Sequence, residues 1–178
     1  DAVENIFILE QVMDALGIDK LADYFKTVPS RSATKEIRTV AASNEQKEHI
    51  TAEAVAALRN LFSGRQGFDV TEFDGQIRVD FTEGFLMYGM SNTSPKLTFM
   101  AEGETVEMRN KALAFVLALH NELKRKYDDK EPMDLSENDF FTKDGSYEMS
   151  APDSVYLCDK RAQEFMDHCG LDKEIIGF

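Results

Sequence analysis

A short polar segment between two apolar runs holds the residues whose types and spacing are best suited to chemistry. It reads Ser91-Asn92-Thr93-Ser94-Pro95-Lys96 and combines hydroxyl groups, an amide and a cation. A loop of this kind can aim several O–H and N–H donors at one anion, and phosphate oxygens need such converging donors. Pro95 stiffens the exit from the loop. Because Ser, Asn, Thr and Pro are also ordinary turn residues, a plain connecting turn is the alternative on residue type alone.

The elements on either side of this segment are predicted strands, and rigid strands would hold the loop in place. Apolar residues alternate in the preceding runs, as in half-buried strands. Asp74-Gly75 is a strong signal for a tight hairpin turn, and Glu83-Gly84 turns the chain again. The four successive strands are predicted at 68–73, 77–81, 85–90 and 96–101, with an earlier strand at 36–42.

Apolar residues at helical spacing predict five helices. Gly17 is placed to stop the first helix, and Ser43 with Gln46 fits a capping box at the start of the third. His120 lies on the apolar stripe of the long fourth helix, where we expect a packed, hydrogen-bonded histidine. The predicted helices lie at 2–16, 19–27, 43–63, 105–126 and 151–170.

This order of elements indicates an α+β fold. Strands that follow one another directly in the chain favour a four- to five-stranded antiparallel sheet with two helices on one face. Terminal helices precede this domain, and a helical extension follows it. We predict three parts: helices at 1–30, a domain at 35–127, and an acidic extension at 128–178 with a terminal helix. Residues 30–34 read as a linker.

The charge of the chain excludes some partners. The net charge is −13 at pH 7, which argues against nucleic acid because phosphate backbones are bound by clustered Lys and Arg. Most of this charge lies in the extension at 128–178. No apolar run is long enough to cross a membrane, and the chain starts as though cut from a longer protein.

The remaining reactive residue types point to no further site. Cys158 and Cys169 match no zinc or redox spacing and read as reduced residues of a cytoplasmic protein. The three histidines do not have metal-ligand spacing, and the acidic extension lacks the spacing of a calcium loop. We therefore predict no metal, no cofactor and no catalytic residue within these 178 residues.

The segment 84–105, with SNTSPKL at its centre and EGET at its end, resembles the last domain of the α-D-phosphohexomutases. This family includes phosphoglucomutase, phosphomannomutase and phosphoglucosamine mutase. The similarity covers roughly residues 1–127 and is strongest over 75–126. It implies a topology like that of the TATA-binding protein, and it implies that residues 1–30 are the last helices of a preceding α/β domain.

In that family the loop has the form Arg-x-Ser-(Asn/Gly)-Thr-x-Pro and clamps the substrate phosphate that is not being transferred. The resemblance implies that Ser91, Asn92 and Thr93 contact phosphate and that Pro95 is structural. With the neighbouring donors, the predicted substrate-phosphate-binding set is Ser91, Asn92, Thr93, Ser94 and Lys96.

One position departs from the family pattern. The family arginine falls on Gly89 here, and glycine cannot make a bidentate charged contact. Lys96 and Arg78 are the candidates to replace that charge.

The resemblance also implies what this chain leaves out. The phosphoserine motif, the Asp-Gly-Asp-x-Asp-Arg magnesium loop and the sugar-binding loop of the family do not occur in it. The parent enzyme is expected to interconvert hexose 1-phosphate and hexose 6-phosphate with Mg²⁺ bound elsewhere, while this chain alone is inactive. Its expected partners are a hexose phosphate or bisphosphate and the remaining domains of the same enzyme.

Two other function classes are alternatives to this interpretation. The same sheet could belong to a non-enzymatic interaction module whose acidic tail regulates docking. A nucleic-acid binder, reached through the similar topology, is disfavoured by the charge, and a shared fold does not transfer function.

Overall fold

Residues 1–30 and residues 31–178 form two separate units. The structure, a computed structural model, describes residues 2–27, 31–34, 36–128 and 151–171. The acidic segment at 129–150, residues 172–178 and the side chain of Cys158 lie outside the described residues, and so do the predictions made for them. None of the described helices combines the length and apolar character needed to cross a membrane.

The first unit contains helices α1 (Ala2–Leu16) and α2 (Leu21–Thr27). Gly17 ends α1 as predicted, because its positive φ of 65° lets the N–H groups of Gly17 and Ile18 bond back to Asp14 and Met13. Both helices carry large exposed apolar side chains, namely Ile6, Phe7, Ile8, Val12, Leu16, Leu21 and Phe25.

The second unit is built on one antiparallel sheet of six strands, which confirms the predicted α+β class. The predicted number of four to five strands was too low, because strand β1 was not expected. The strands are β1 (Ser32–Ala33), β2 (Ile37–Val40), β3 (Phe68–Phe73), β4 (Gln76–Phe81), β5 (Gly84–Met90) and β6 (Lys96–Gly103). Their order is β1-β6-β5-β4-β3, and β2 also pairs with β6. Strands β5 and β6 therefore lie inside the sheet, with a neighbour on both sides.

Strand β1 corrects the prediction of a linker at 30–34. Ser32 pairs with Gly103, and Thr34 exchanges hydrogen bonds with the backbone of Ala101. Two residues are too few to show a period, and their partner strand lies about 70 residues later in the chain, so the local sequence gave no sign of this pairing.

The hairpin between β3 and β4 forms as predicted. Asp74 and Gly75 have φ values of 46° and 71°, the left-handed conformation that a two-residue hairpin turn with the sheet's natural twist requires.

Three helices complete the second unit: α3 (Asn44–Phe62), α4 (Val106–Asp128) and α5 (Ala151–His168). Ser43 caps α3 by accepting a hydrogen bond from the Gln46 N–H at 3.1 Å. The side-chain oxygen of Gln46 in turn accepts a hydrogen bond from the N–H of Ala42 at 2.7 Å. A capping box uses the N–H of the cap residue itself, here Ser43, so this contact is displaced by one residue.

The core lies between the helices and one face of the sheet. Alternate strand residues such as Ile77, Val79 and Phe99 are fully buried there. Helix α5 joins the same core, because Phe165 contacts the rings of Phe81 and Phe115 at centroid distances of 5.4 and 5.2 Å.

Candidate functional site

The predicted site residues form the connection between β5 and β6. The last pair of the two strands is Met90 with Leu97, and the Ser91 N–H donates to the Lys96 carbonyl at 2.8 Å. The loop therefore starts and ends on the two central strands. Ser91, Asn92, Thr93 and Ser94 lie in this short connection, and Lys96 is the first residue of β6.

Hydrogen bonds within the loop fix its shape. The Ser94 hydroxyl donates to the Ser91 hydroxyl at 3.0 Å, and the Lys96 N–H donates to the Ser94 carbonyl at 2.7 Å. The Pro95 carbonyl accepts from the Ala41 N–H at 2.8 Å, which ties the loop to the end of β2. These bonds constrain the backbone before any ligand arrives.

Lys47 supports the loop from the helix side. It lies in the first turn of α3, and its side chain is buried, with only 6% of the residue exposed. Its ammonium group donates to the carbonyls of Ser91 at 2.9 Å and Ser94 at 3.2 Å. The sequence interpretation missed this residue. The available signal was a lysine on the apolar stripe of Ile50, Ala54 and Leu58, since a charge is rarely buried without a purpose.

The outer side of the loop carries donors that have no partner within the described chain. Asn92 and Thr93 are exposed, and Lys96 is half-buried. The side chains of all three make no hydrogen bond or ion pair with any other described residue. The Asn92 N–H is also without an acceptor there, and the Thr93 N–H has only the Ser91 hydroxyl at 3.4 Å. This side of the loop can therefore donate several hydrogen bonds to one anion.

The position of the family arginine is filled by a neighbouring side chain. A Cβ atom placed on Gly89 would lie 2.5 Å from Cγ of Gln76, so Gln76 covers the space above the glycine. Of the two cations proposed as replacements, Lys96 lies in the loop itself. Arg78 does not serve this role, because its guanidinium makes a bidentate contact with Asp80 at 2.6–3.0 Å and lies 3.8 Å over the ring of Phe85. The hydrogen bonds that Arg78 donates to Asp80 also raise the pKa of Arg78.

His120 is buried and hydrogen-bonded, as predicted. Its Nδ1 lies 2.8 Å from the Tyr88 hydroxyl and its Nε2 lies 3.2 Å from the Thr39 hydroxyl. Burial lowers the pKa of His120 to about 3 and raises the pKa of Tyr88. A neutral imidazole with no access to solvent holds the core together and cannot exchange protons with a substrate.

A second polar region lies at the opposite end of the sheet from the loop. A cavity of about 320 Å³ is lined there by Phe68, Phe81, Glu83, His168 and Cys169, among others. The His168 Nε2 lies 3.3 Å from a carboxylate oxygen of Glu83. Burial, followed by the negative charge of Glu83, raises the pKa of the Cys169 thiol to about 12, so this thiol is not an activated nucleophile.

Neither a metal-binding group among the described residues nor a match to a known protein points to a second candidate site. No group of three or more His, Cys, Asp or Glu residues in the described ranges could hold a metal ion. In comparisons with known proteins, no family model and no curated protein matched this chain. The loop between β5 and β6 is therefore the candidate that rests on geometry.

Proposed function

We propose that this chain is the substrate-phosphate-binding C-terminal part of a sugar-phosphate mutase related to the α-D-phosphohexomutases. The observation that carries the proposal is the loop of Ser91–Lys96. It is braced by internal hydrogen bonds and by Lys47, and it leaves Asn92, Thr93 and Lys96 without described partners. A rigid loop with open donors is suited to an oxyanion with several acceptor oxygens.

The order of elements supports this assignment. The chain runs β2, α3, β3, β4, β5, β6 and α4, with the loop before the last strand and helix. The last domain of the phosphohexomutases, with its topology like that of the TATA-binding protein, has this order of elements and carries its phosphate loop at the same place. The proposal therefore includes this specific fold, beyond the α+β class.

In the parent enzyme the domain would hold the phosphate that is not being transferred. Binding energy from this remote phosphate orients the sugar and favours closure of the active site. The reaction would interconvert hexose 1-phosphate and hexose 6-phosphate in the cytoplasm. The phosphoserine, the Mg²⁺ loop and the sugar loop belong to other domains, so the 178-residue chain is inactive by itself.

The exposed apolar side chains of the first unit support packing against those other domains. Helices α1 and α2 expose Phe7 and Phe25 at 60% and 63%, with further apolar residues beside them. Exposed apolar groups of this kind mark surfaces that pack against another protein body. The same observation would also suit a non-enzymatic interaction module, which is the second candidate function.

Ligand binding separates the two candidates. We expect glucose 6-phosphate and mannose 6-phosphate to show proton saturation-transfer signals with the 178-residue chain and inorganic phosphate to show ³¹P line broadening, whereas free glucose shows no saturation transfer. Affinity in the millimolar range, ~4 kcal/mol, is sufficient for this measurement. Binding of free glucose equal to that of its phosphate, or no binding of any of the four, contradicts the proposal and favours the interaction module.

A further inference from the structure

The most unusual charge near the loop is the ammonium group of Lys47. A buried charge is costly unless it is paired, and lysine is almost never fully buried without a partner. The acceptors of Lys47 are the carbonyls of Ser91 and Ser94. No carboxylate of the described part of the chain lies within ion-pair distance of it. Its positive charge is therefore only partly offset by two carbonyl dipoles.

The contacts of Lys47 also set the direction of the loop's peptide groups. The carbonyl of Ser91 and the N–H of Asn92 belong to the same peptide plane, and in a trans peptide they point in opposite directions. Because the Ser91 carbonyl points toward Lys47, the Asn92 N–H points to the far side of the loop. That is the side on which Asn92 and Thr93 are exposed. Lys47 therefore turns the carbonyl oxygen of Ser91 away from an incoming anion and the N–H of Asn92 toward it.

We propose that Lys47 supplies the positive charge for the bound phosphate in place of the arginine that Gly89 lacks. Lys47 acts as a positioning residue on the α3 side of the loop, and it need not touch the ligand. This inference rests on the proposed function, because it assumes that the loop binds a phosphate group. The charge of the anion is the counter-charge that the buried ammonium otherwise lacks.

The two claims are separated by amide NMR titrations of the 178-residue chain with inorganic phosphate and with glucose 6-phosphate. We compare the wild type with K47Q, which keeps an N–H donor but loses the charge, and with K47M, which loses both. K160M is the matched control, since Lys160 is an exposed lysine on α5 and its loss changes the net charge equally. We expect both Lys47 variants to bind phosphate at least about fivefold more weakly and K160M to bind within about twofold of the wild type.

The possible outcomes have distinct meanings. A wild type without saturable shifts for either anion overturns the proposed function and, with it, the role of Lys47. A wild type that binds at the loop while folded K47Q binds equally well overturns the role of Lys47 alone.

A measurement on the wild type covers the case in which the variants do not fold. The protected ammonium of Lys47 is expected to give its own ¹⁵N–¹H signal, and that signal should shift with the same dissociation constant as the loop amides. Saturation of the loop amides with no change at the Lys47 ammonium contradicts the inference.

Discussion

Two polar clusters between the helices and the sheet, one around His120 and one around Lys47, differ in their access to solvent. His120 bonds to the hydroxyls of Tyr88 and Thr39, and the cluster is sealed inside the core. Lys47 bonds to the carbonyls of a surface loop whose outer side is exposed. A sealed cluster in which every group has a partner can only stabilise the fold, whereas a supported cluster with open donors can also bind a ligand.

The largest expected effect concerns the sealed cluster. The folded pKa of His120 is lowered to about 3, while the unfolded chain takes up the proton near pH ~6.5. The unfolded state therefore binds more protons between these values, and stability is lost as the pH falls below about 6.5. We expect this group to remove about 2 kcal/mol of unfolding free energy between pH 6 and pH 4.

Urea unfolding at both pH values, for the wild type and for H120Q, measures this contribution. The variant should be less stable at pH 6 because Tyr88 and Thr39 lose a partner, but its loss between pH 6 and pH 4 should be smaller. Equal pH dependence in the two proteins would show that His120 does not titrate on unfolding in this range.

A negative charge on the loop that Lys47 supports should produce the next largest effect, a loss of phosphate affinity. Thr93 is exposed on the loop, so T93D places a carboxylate among the donors without disturbing the core. Like charges repel, and we expect the affinity for inorganic phosphate to fall more than about tenfold. Thr82 is an exposed threonine beside Glu83 at the opposite end of the sheet, so T82D is the matched control with the same change in net charge. If the two variants lose affinity equally, the effect is one of net charge and the loop is not the site.

An arginine placed at position 89, where the phosphohexomutase loop has one, should have a smaller effect of the opposite sign. The side chain of Gln76 covers Gly89, so G89R alone forces Gln76 to move, while the double variant Q76A/G89R makes room for the new side chain. We expect the double variant to bind phosphate about threefold to tenfold more tightly than Q76A does, because a guanidinium makes charged hydrogen bonds to phosphate. An unchanged affinity in a folded double variant would place the anion away from the Gly89 side of the loop.

Local signals in the sequence were sufficient for the helices, for strands β2 to β6 and for the position of the loop between β5 and β6. Asp74-Gly75 predicted its hairpin because the left-handed turn conformation depends only on the turn residues themselves. Gly170 likewise ends α5 as expected, with its positive φ of 61° and a bond from the Leu171 N–H to the Met166 carbonyl. Contacts between distant segments were missed. Lys47 reaches Ser91 across 44 residues, and β1 pairs with a strand about 70 residues later in the chain. The hydrophobic periodicity of a single segment does not predict such pairings, because they depend on how distant elements assemble.

The central claim is that one loop, Ser91–Lys96, binds the phosphate of a sugar phosphate. The most direct test is to map amide chemical shifts of the wild-type chain during titration with glucose 6-phosphate, with free glucose as the control. The account predicts saturable shifts that are concentrated at residues 89–97 and at the first turn of α3, and that are absent with glucose. Shifts confined to the cavity around Glu83 and His168, or shifts spread evenly over the chain, would contradict it.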